Sequence, residues 1–178
     1  AALVSTEESR LSVAWRMYRF RFNEPVPEVV SLESIRGMEG LRVRKAYADA
    51  AQKYGIDWKG RHYEQGNWNA ADPINRALSA ANACLYGVCH AAILSAGYSP
   101  GLGFIHTGKM LSFVYDVADL YKTALTIPVA FQVTSENQGD IERAVRMRCR
   151  NAFYEFKLME RVIPDIAEVL GELRRWKW

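Results

Sequence analysis

The segment from Asp72 to Gly97 constrains the fold of this chain more than any other. It opens on Asp-Pro, an N-cap residue followed by proline at the first helical position, and it ends on a glycine, which is typical just after a helix. Alanine and aliphatic residues occupy most positions between these ends. A helix that is apolar on most faces belongs in an interior. The sequence therefore predicts a buried central helix with other helices packed around it.

Helical periodicity also dominates the rest of the sequence, and no alternating strand pattern of useful length occurs. Five further helices are predicted: one from a capping box at Ser5 and Glu8 to Pro25, one from Ser31 to Gly55, one over 111–125 that is closed by Pro128, a long one over 140–162 that Pro164 ends or kinks, and a last one over 165–175. The chain has 178 residues, which suits one domain better than two. We expect a single all-α domain over 1–178. The chain begins without methionine, which fits a piece of a longer protein.

Composition predicts a soluble, cytoplasmic protein. Hydrophobic content of 49% and charged content of 24% are ordinary for a globular chain. The three cysteines show no CxxC spacing, which favours a reduced compartment over a zinc site or a disulfide framework. The sequence shows no signal-peptide pattern and no apolar run near the length of about 18–20 residues that spans a bilayer, so no membrane partner is expected.

Two aspartates on one predicted helix are the first candidates for chemistry. Asp116 and Asp119 are three residues apart, so both carboxylates project from the same face. A solvated acidic face has the same spacing. However, Phe113 and Val117 make the helix apolar, so at least one carboxylate is expected to be sheltered and to need a cation or a donor. His106, in the glycine-rich loop just before this helix, would supply an imidazole nitrogen to a shared cation.

Glu39 is the third candidate metal ligand. Together with His106 and Asp119 it would form a mixed oxygen and nitrogen site suited to Mn²⁺ or Mg²⁺, although spacing alone does not bring Glu39 to the other two. Gly37 and Gly40 flank it inside a predicted helix, where each glycine costs about 0.8–1 kcal/mol relative to alanine. Two explanations are open. Bare backbone lets a bulky strand or a ligand-bearing helix approach the metal, or two helices cross tightly there without any ligand.

Basic residues indicate an anionic partner. One predicted stripe runs along the long helix, and a second group brackets Glu39; their members are Arg143, Arg146, Arg150, Lys157 and Arg161 in the stripe, and Arg36, Arg42, Arg44 and Lys45 in the group. Arginines also line solvated faces, where they pair with glutamates. A carboxylate surrounded by cations nevertheless suits a site that accepts a polyanion while holding a metal.

Four motifs decide what the spacing leaves open: RGMEGLRVR (36–44), CLYGV (84–88), AAILSAGYSPGLGFIHTGK (91–109) and LSFVYDVADLYK (111–122). Together they resemble the catalytic lobe of the CRISPR-associated spacer-acquisition integrase, the universal adaptation nuclease, and most of all its type I-E branch. The resemblance implies a C-terminal, helical catalytic lobe. Members of that family carry an N-terminal β domain that helps to form a homodimer and to bind a small ferredoxin-like CRISPR partner protein, and no such domain is predicted here.

The resemblance also assigns roles to residues. It implies that a divalent metal, Mn²⁺ or Mg²⁺, is held by Glu39, His106 and Asp119, and that Asp116 completes the catalytic set. The family's contacts to DNA correspond to Lys109, Tyr86, Tyr115, Tyr63, Arg143 and Arg146.

The implied function is metal-dependent phosphoryl transfer on DNA, in which an endonuclease and integrase joins spacer DNA into a CRISPR array. Its partners would be the spacer precursor and the CRISPR repeat. Two alternatives remain: a non-catalytic helical DNA-binding or scaffolding module derived from this lobe, and an unrelated all-α metal hydrolase acting on a small phosphate ester. The hydrolase predicts an enclosed pocket in place of an open basic surface.

Overall fold

The computed structural model describes residues 6–22, 31–61, 72–136 and 139–171, and within these ranges the chain forms seven α-helices and no β-strand. The helices are α1 (Glu7–Phe22), α2 (Leu32–Tyr54), α3 (Pro73–Ser95), α4 (Ser112–Asp119), α5 (Thr126–Ser135), α6 (Ile141–Glu155) and α7 (Leu158–Leu170). The predicted all-α fold is confirmed. Ser5 of the predicted capping box lies outside the described residues, and the Oγ1 atom of Thr6 accepts a hydrogen bond from the backbone N–H of Ser9 at 3.1 Å.

Side-chain caps fix the ends of α2 and α3 where the sequence predicts them. The Ser31 side chain accepts a hydrogen bond from the Ser34 N–H, and Gly55 adopts the left-handed conformation (φ 65°) that closes α2. At the start of α3, the Asp72 carboxylate accepts a bond from the Asn75 N–H at 2.8 Å. Both patterns satisfy backbone groups that a helix end leaves without intrahelical partners.

Helix α3 is the centre of the fold, as predicted. It packs against α4, α5, α6 and α7, and Leu78, Ala81 and Leu85 are fully buried on it. Among the described helices, α3 is also long and apolar enough to cross a membrane by length and composition, with a mean hydropathy of 1.5. The prediction that no apolar run reaches that length is therefore wrong. Half of that stretch is buried inside the protein, which is typical of a core helix.

The helix predicted over 111–125 is two elements. Helix α4 ends at Asp119, turns follow as far as Leu125, and α5 then begins. Pro128, predicted to close the earlier helix, lies in the first turn of α5, where an N–H has no intrahelical partner and its loss does no harm. Burial of Phe131 in the core stabilises this extra helix.

The helix predicted over 140–162 is also two elements, because the buried positions change phase. They recur every four residues in α6, then shift by five before resuming in α7; the series is Val145, Cys149, Phe153, Leu158, Val162 and Ile166. Lys157 absorbs the extra residue in a left-handed conformation (φ 56°, ψ 40°). Pro164 lies inside α7, so the prediction that it ends the long helix is wrong. The burial of α7 side chains outweighs the backbone hydrogen bond that proline removes.

Candidate metal centre

A tight loop carries His106 towards α4. An added Cβ at Gly103 would lie 2.0 Å from the His106 carbonyl oxygen and 2.9 Å from the Cβ of Ser112, so only glycine fits there. The loop is closed at its other end by Ser112, whose hydroxyl donates to the Lys109 carbonyl at 2.9 Å. The glycines of this loop therefore serve its compact backbone.

Asp116 anchors this loop from α4. Its side chain is fully buried, and its carboxylate accepts hydrogen bonds from the N–H groups of Phe104 (2.7 Å), Ile105 (3.2 Å) and His106 (2.8 Å). The carboxylate also lies 2.7 Å from Nδ1 of the His106 ring. All four of these contacts join Asp116 to the loop, and Asp116 also lines a small pocket with Glu39 and Asp119. The resemblance places Asp116 in the catalytic set, and that role stays a prediction; its contacts show that it also fixes the loop and the His106 ring.

The contact to Asp116 sets the orientation of the His106 ring. Nδ1–H donates to the carboxylate, which leaves Nε2 available on the other side. The hydrogen bond to Asp116 raises the pKa of His106 above its ordinary value, against the opposing effect of burial. The His106 side chain remains 39% exposed, so the ring is not sealed inside the protein. A buried carboxylate behind a half-exposed imidazole is the arrangement that orients histidine ligands of metals.

Asp119 lies at the last position of α4, beside His106. Its Oδ2 is 4.0 Å from Nε2 of the imidazole, and its Oδ1 is 2.6 Å from Nζ of Lys122. Burial lowers the pKa of Lys122, but the Asp119 carboxylate and Tyr86 together outweigh burial and raise that pKa overall. Lys122 is therefore charged and neutralises Asp119.

Glu39 reaches the same region from α2. Its carboxylate accepts a hydrogen bond from Nη1 of Arg21, which comes from α1. Burial raises the pKa of Glu39 above its ordinary value, whereas the Arg21 guanidinium acts in the opposite direction. Asp119 and His106 also act on this pKa, so the three predicted ligands lie within electrostatic reach of one another.

The two glycines beside Glu39 do not mark a helix crossing. A Cβ added at Gly37 would meet nothing within 4 Å, and one at Gly40 would meet only the end of the Arg44 side chain at 3.7 Å. The tight helix crossing and the close approach of a ligand-bearing helix are therefore wrong, and the approach of a bulky strand to the metal stays a prediction. Gly40 instead lines a cavity, which leaves room beside Glu39.

This cavity, of about 390 Å³, brings the three predicted ligands together. Its lining combines acidic, basic and apolar side chains, including Glu39, His106, Asp119, Arg21, Arg36, Lys122, Tyr47 and Ile127. Arg36 also ties α2 to the loop, because its Nη2 donates to the Ile105 carbonyl at 2.5 Å. We use the term candidate metal centre for Glu39, His106 and Asp119 in this cavity.

The donor set fits a divalent cation in its chemistry. Two carboxylates and one imidazole nitrogen are accepted ligands of Mn²⁺ and Mg²⁺. The side chains do not converge as they stand: among the described residues, no three His, Cys, Asp or Glu side chains are grouped closely enough to hold a metal ion. Each carboxylate is paired with a basic side chain instead, Glu39 with Arg21 and Asp119 with Lys122. The ligand assignment therefore stays a prediction.

An aromatic and basic cluster borders the candidate metal centre. The rings of Tyr86 and Tyr115 meet edge to face at 5.1 Å, and Tyr115 lies 5.9 Å from the His106 ring. Nζ of Lys109 is 6.0 Å from the centre of the Tyr115 ring, and Nζ of Lys122 is 4.9 Å from that of Tyr86. Three of the predicted DNA contacts are thus grouped beside the candidate site.

The other predicted DNA contacts lie elsewhere or are not described. Arg143 and Arg146 are exposed on α6 with Arg150, whereas Lys157 lies at the helix break and Arg161 on α7. The single stripe predicted for these five residues is therefore wrong beyond Arg150. Tyr63 lies outside the described residues.

Sequence reasoning missed the two basic partners of the acids. Lys122 follows Asp119 by three residues, a spacing typical of helical ion pairs, and this signal was available. No sequence signal pointed to Arg21, because Arg21 is on another helix and meets Glu39 only through tertiary packing.

A sequence model of the family described as CRISPR associated protein Cas1 matches residues 9–149. The CRISPR-associated endonuclease Cas1 2 of Thermus thermophilus is 55% identical over 163 residues, which are 92% of this chain and 50% of the relative. The CRISPR-associated endonuclease Cas1 of Escherichia coli is 48% identical over 176 residues, which are 98% of this chain and 58% of the relative. The chain thus spans about half the length of the curated relatives it matches.

Solved structures show the same similarity. A crystal structure of a TtCas1–DNA complex superposes with a TM-score of 0.86 at 51% identity, over 93% of this chain and 62% of that one. A crystal structure of TtCas1 gives a TM-score of 0.83 at 49% identity, with the same coverage.

Proposed function

The chain belongs to the family of CRISPR-associated Cas1 proteins, and on that premise we propose that it carries the catalytic site of a metal-dependent DNA endonuclease and integrase. In the joining direction, the 3′-hydroxyl of a spacer precursor attacks a phosphodiester of the CRISPR repeat and displaces a hydroxyl of the repeat strand. In the cleavage or disintegration direction, water or another hydroxyl attacks and displaces a strand hydroxyl in the same way. Support comes from relatives named as endonucleases and from a structural neighbour in complex with DNA. The chain spans only about half the length of those relatives. We therefore propose that it contains the catalytic site, and the complete activity is proposed for the full-length protein.

One observation carries this proposal: side chains from α2, the glycine-rich loop before α4 and α4 itself line a single cavity together with basic side chains. Glu39, His106 and Asp119 would hold Mn²⁺ or Mg²⁺ there. When bound, the cation supplies Lewis-acid stabilisation of charge at the phosphorus and lowers the pKa of a bound nucleophile. These are the requirements of phosphodiester cleavage and transfer.

The chain's own residues orient and neutralise the substrate. Asp116 keeps Nδ1 of His106 protonated and Nε2 turned away from the loop. Lys122 and Arg36, at the cavity wall, would neutralise phosphate oxygens of the DNA. Beside them, Lys109 and the aromatic pair Tyr86 and Tyr115 would hold the DNA end by charge and by stacking against a base.

Affinity for DNA would come from the exposed arginines Arg143 and Arg146 on α6, with little sequence readout. In the full-length family, a homodimer and the small ferredoxin-like partner protein would bring spacer and repeat together. These partners, together with a cytoplasmic location, belong to the proposal.

The test is cleavage of branched DNA by the purified chain with Mn²⁺ or Mg²⁺. We expect Glu39→Ala, His106→Ala and Asp119→Ala each to abolish metal-stimulated cleavage and to keep the helical circular dichroism spectrum. Asp49→Ala is the matched control, because Asp49 is an exposed acid of α2. It is expected to cleave like the wild type.

Other outcomes would favour the alternatives. Cleavage retained by all three variants would overturn the mechanism. DNA binding without cleavage by the wild type under either ion would favour the non-catalytic helical module. Selective hydrolysis of a small phosphate ester would favour the hydrolase, against which the exposure of His106 argues.

A further inference from the structure

Arg21 is the most enclosed of the basic side chains that meet the acids of the candidate metal centre. Its side chain is 3% exposed, compared with 17% for Lys122. It comes from α1, near the end of that helix, and its Nη1 donates to Oε1 of Glu39. The guanidinium carbon also lies 5.0 Å from the centre of the Phe22 ring. This arginine is therefore built into the site and is not a surface cation that happens to lie nearby.

The Arg21 guanidinium is incompletely paired. Its Nε is buried and has no hydrogen-bond partner among the described residues. A buried guanidinium normally uses its donors in full, and leaving one without an acceptor is unfavourable. The Glu39 carboxylate is the acceptor that holds this group in place. Arg21 is thus held at Glu39 through Nη1, while its Nε has no acceptor among the described residues.

While it is ionised, the Glu39 carboxylate needs a positive charge beside it. Its side chain is 14% exposed, and burial of an unpaired carboxylate is strongly unfavourable. Arg21 supplies that charge in the structure. A divalent cation bound to Glu39 would supply it too, but it would then lie close to a guanidinium in a partly buried cavity, where like charges repel. The two cations therefore compete for one carboxylate.

Resting on the proposed metal-dependent function, we propose that Arg21 is a positioning residue that sets the affinity for the divalent cation. Its guanidinium neutralises Glu39 while no metal is present, and the arriving cation displaces it from the carboxylate. Removal of Arg21 then frees a ligand and removes a repelling charge. A variant without Arg21 should bind the metal more tightly, and its folded state should depend more on the bound metal for stability.

The experiment is a calorimetric titration of the purified chain with Mn²⁺. We expect Arg21→Met, which keeps the length and the apolar stem, to lower the Kd for Mn²⁺ by at least about tenfold, since a like charge a few ångströms from a bound cation in a partly buried site repels it by at least that much. Without Mn²⁺ the variant should melt at a lower temperature than the wild type. Saturating Mn²⁺ should raise its melting temperature by more than it raises that of the wild type. A folding defect does not mimic this result, because it would weaken binding.

Two further variants complete the test. Arg19→Met removes an exposed arginine of the same helix, so it matches the change in net charge and should leave the Kd unchanged. Arg21→Lys keeps the charge but not the reach of the guanidinium, and its Kd should fall between those of the wild type and Arg21→Met. If circular dichroism shows that Arg21→Met is unfolded, Arg21→Lys decides, and a wild-type Kd for it overturns the proposal.

The outcomes separate this proposal from the one on which it rests. Mn²⁺ binding that is equal or weaker in Arg21→Met overturns the role of Arg21 and leaves the metal-dependent function standing. Absence of Mn²⁺ binding in both the wild type and Arg21→Met overturns both. Tighter binding that is lost again on adding Glu39→Gln supports both.

Discussion

Replacement of Asp116 by asparagine is expected to destabilise the fold strongly, although the two side chains have nearly the same shape. The Asp116 carboxylate accepts four hydrogen bonds, three from backbone N–H groups and one from the His106 ring. Each carboxylate oxygen takes two of them. An amide offers one oxygen and one NH₂ group, so two of the four donors would face another donor in a buried site.

The size of the effect follows from that count. Hydrogen bonds to charged groups contribute about 1.5–3 kcal/mol each, so loss of two corresponds to about 3–6 kcal/mol. A domain of this kind is stable by about 5–15 kcal/mol, so the variant would be close to unfolding. With a urea dependence of about 2 kcal/mol per molar, the midpoint of unfolding should fall by about 1.5–3 M.

The effect should also depend on pH. The pKa of His106 is raised in the folded protein, with Asp116 as the main cause, so the pair adds stability that is fully present below the unfolded value of about 6.5. That contribution is lost as the pH rises through the folded pKa. Asp116→Asn removes the carboxylate that raises the His106 pKa. The difference in urea midpoint between wild type and variant should therefore be larger at pH 6 than at pH 9.

The assay is urea denaturation followed by circular dichroism at both pH values. Asp49→Asn is the control, because this exposed acid should change the midpoint very little. A midpoint for Asp116→Asn within about 0.5 M of the wild type, which is about 1 kcal/mol, would refute the anchoring role of Asp116. A large effect that is identical at both pH values would refute its coupling to His106.

Two further predictions concern α6 and its end. Arg146→Ala should weaken DNA binding and reduce the slope of log K against log salt by about one, as for one lost phosphate contact, whereas Arg148→Ala should leave the slope unchanged because that guanidinium binds Glu136 at 2.9 Å. An unchanged slope for Arg146→Ala would place it outside the DNA interface. Lys157→Gly should raise the free energy of unfolding by about 1 kcal/mol in the same urea assay, because glycine adopts the left-handed conformation without strain. A lower midpoint would show that the Lys157 side chain contributes more than its backbone costs.

The parts of the fold that were predictable from sequence are those fixed by local chemistry. Ser31, Gly55 and Asp72 mark helix ends through bonds to residues only a few positions away, so their pattern is visible in the chain itself. The predicted helix ends at Pro128 and Pro164 were wrong for one reason. Proline weakens a helix locally, but burial of the surrounding apolar side chains decides whether the helix continues, and burial is a tertiary property.

The candidate site divides in the same way. His106, Asp116 and Asp119 are near in sequence, and their association was predicted from spacing and apolar context. Glu39 required the resemblance to a family, because no local rule brings α2 to α4. Arg21 followed from neither, since two helices must pack before its guanidinium meets a carboxylate.

The helix break at Lys157 limits the length of the cationic face of α6. From Arg143 to Arg150 the helix rises about 10 Å, at about 1.5 Å per residue. Successive phosphates of one DNA strand advance by about 3.4 Å along the duplex axis, so in the proposed DNA interface this face would match about three nucleotides. Helix α6 ends at Glu155, five residues after Arg150, and α7 follows after the break at Lys157. A longer footprint on DNA therefore has to be assembled from separate short patches, which makes the relative placement of helices, more than their total charge, the determinant of where a strand can lie.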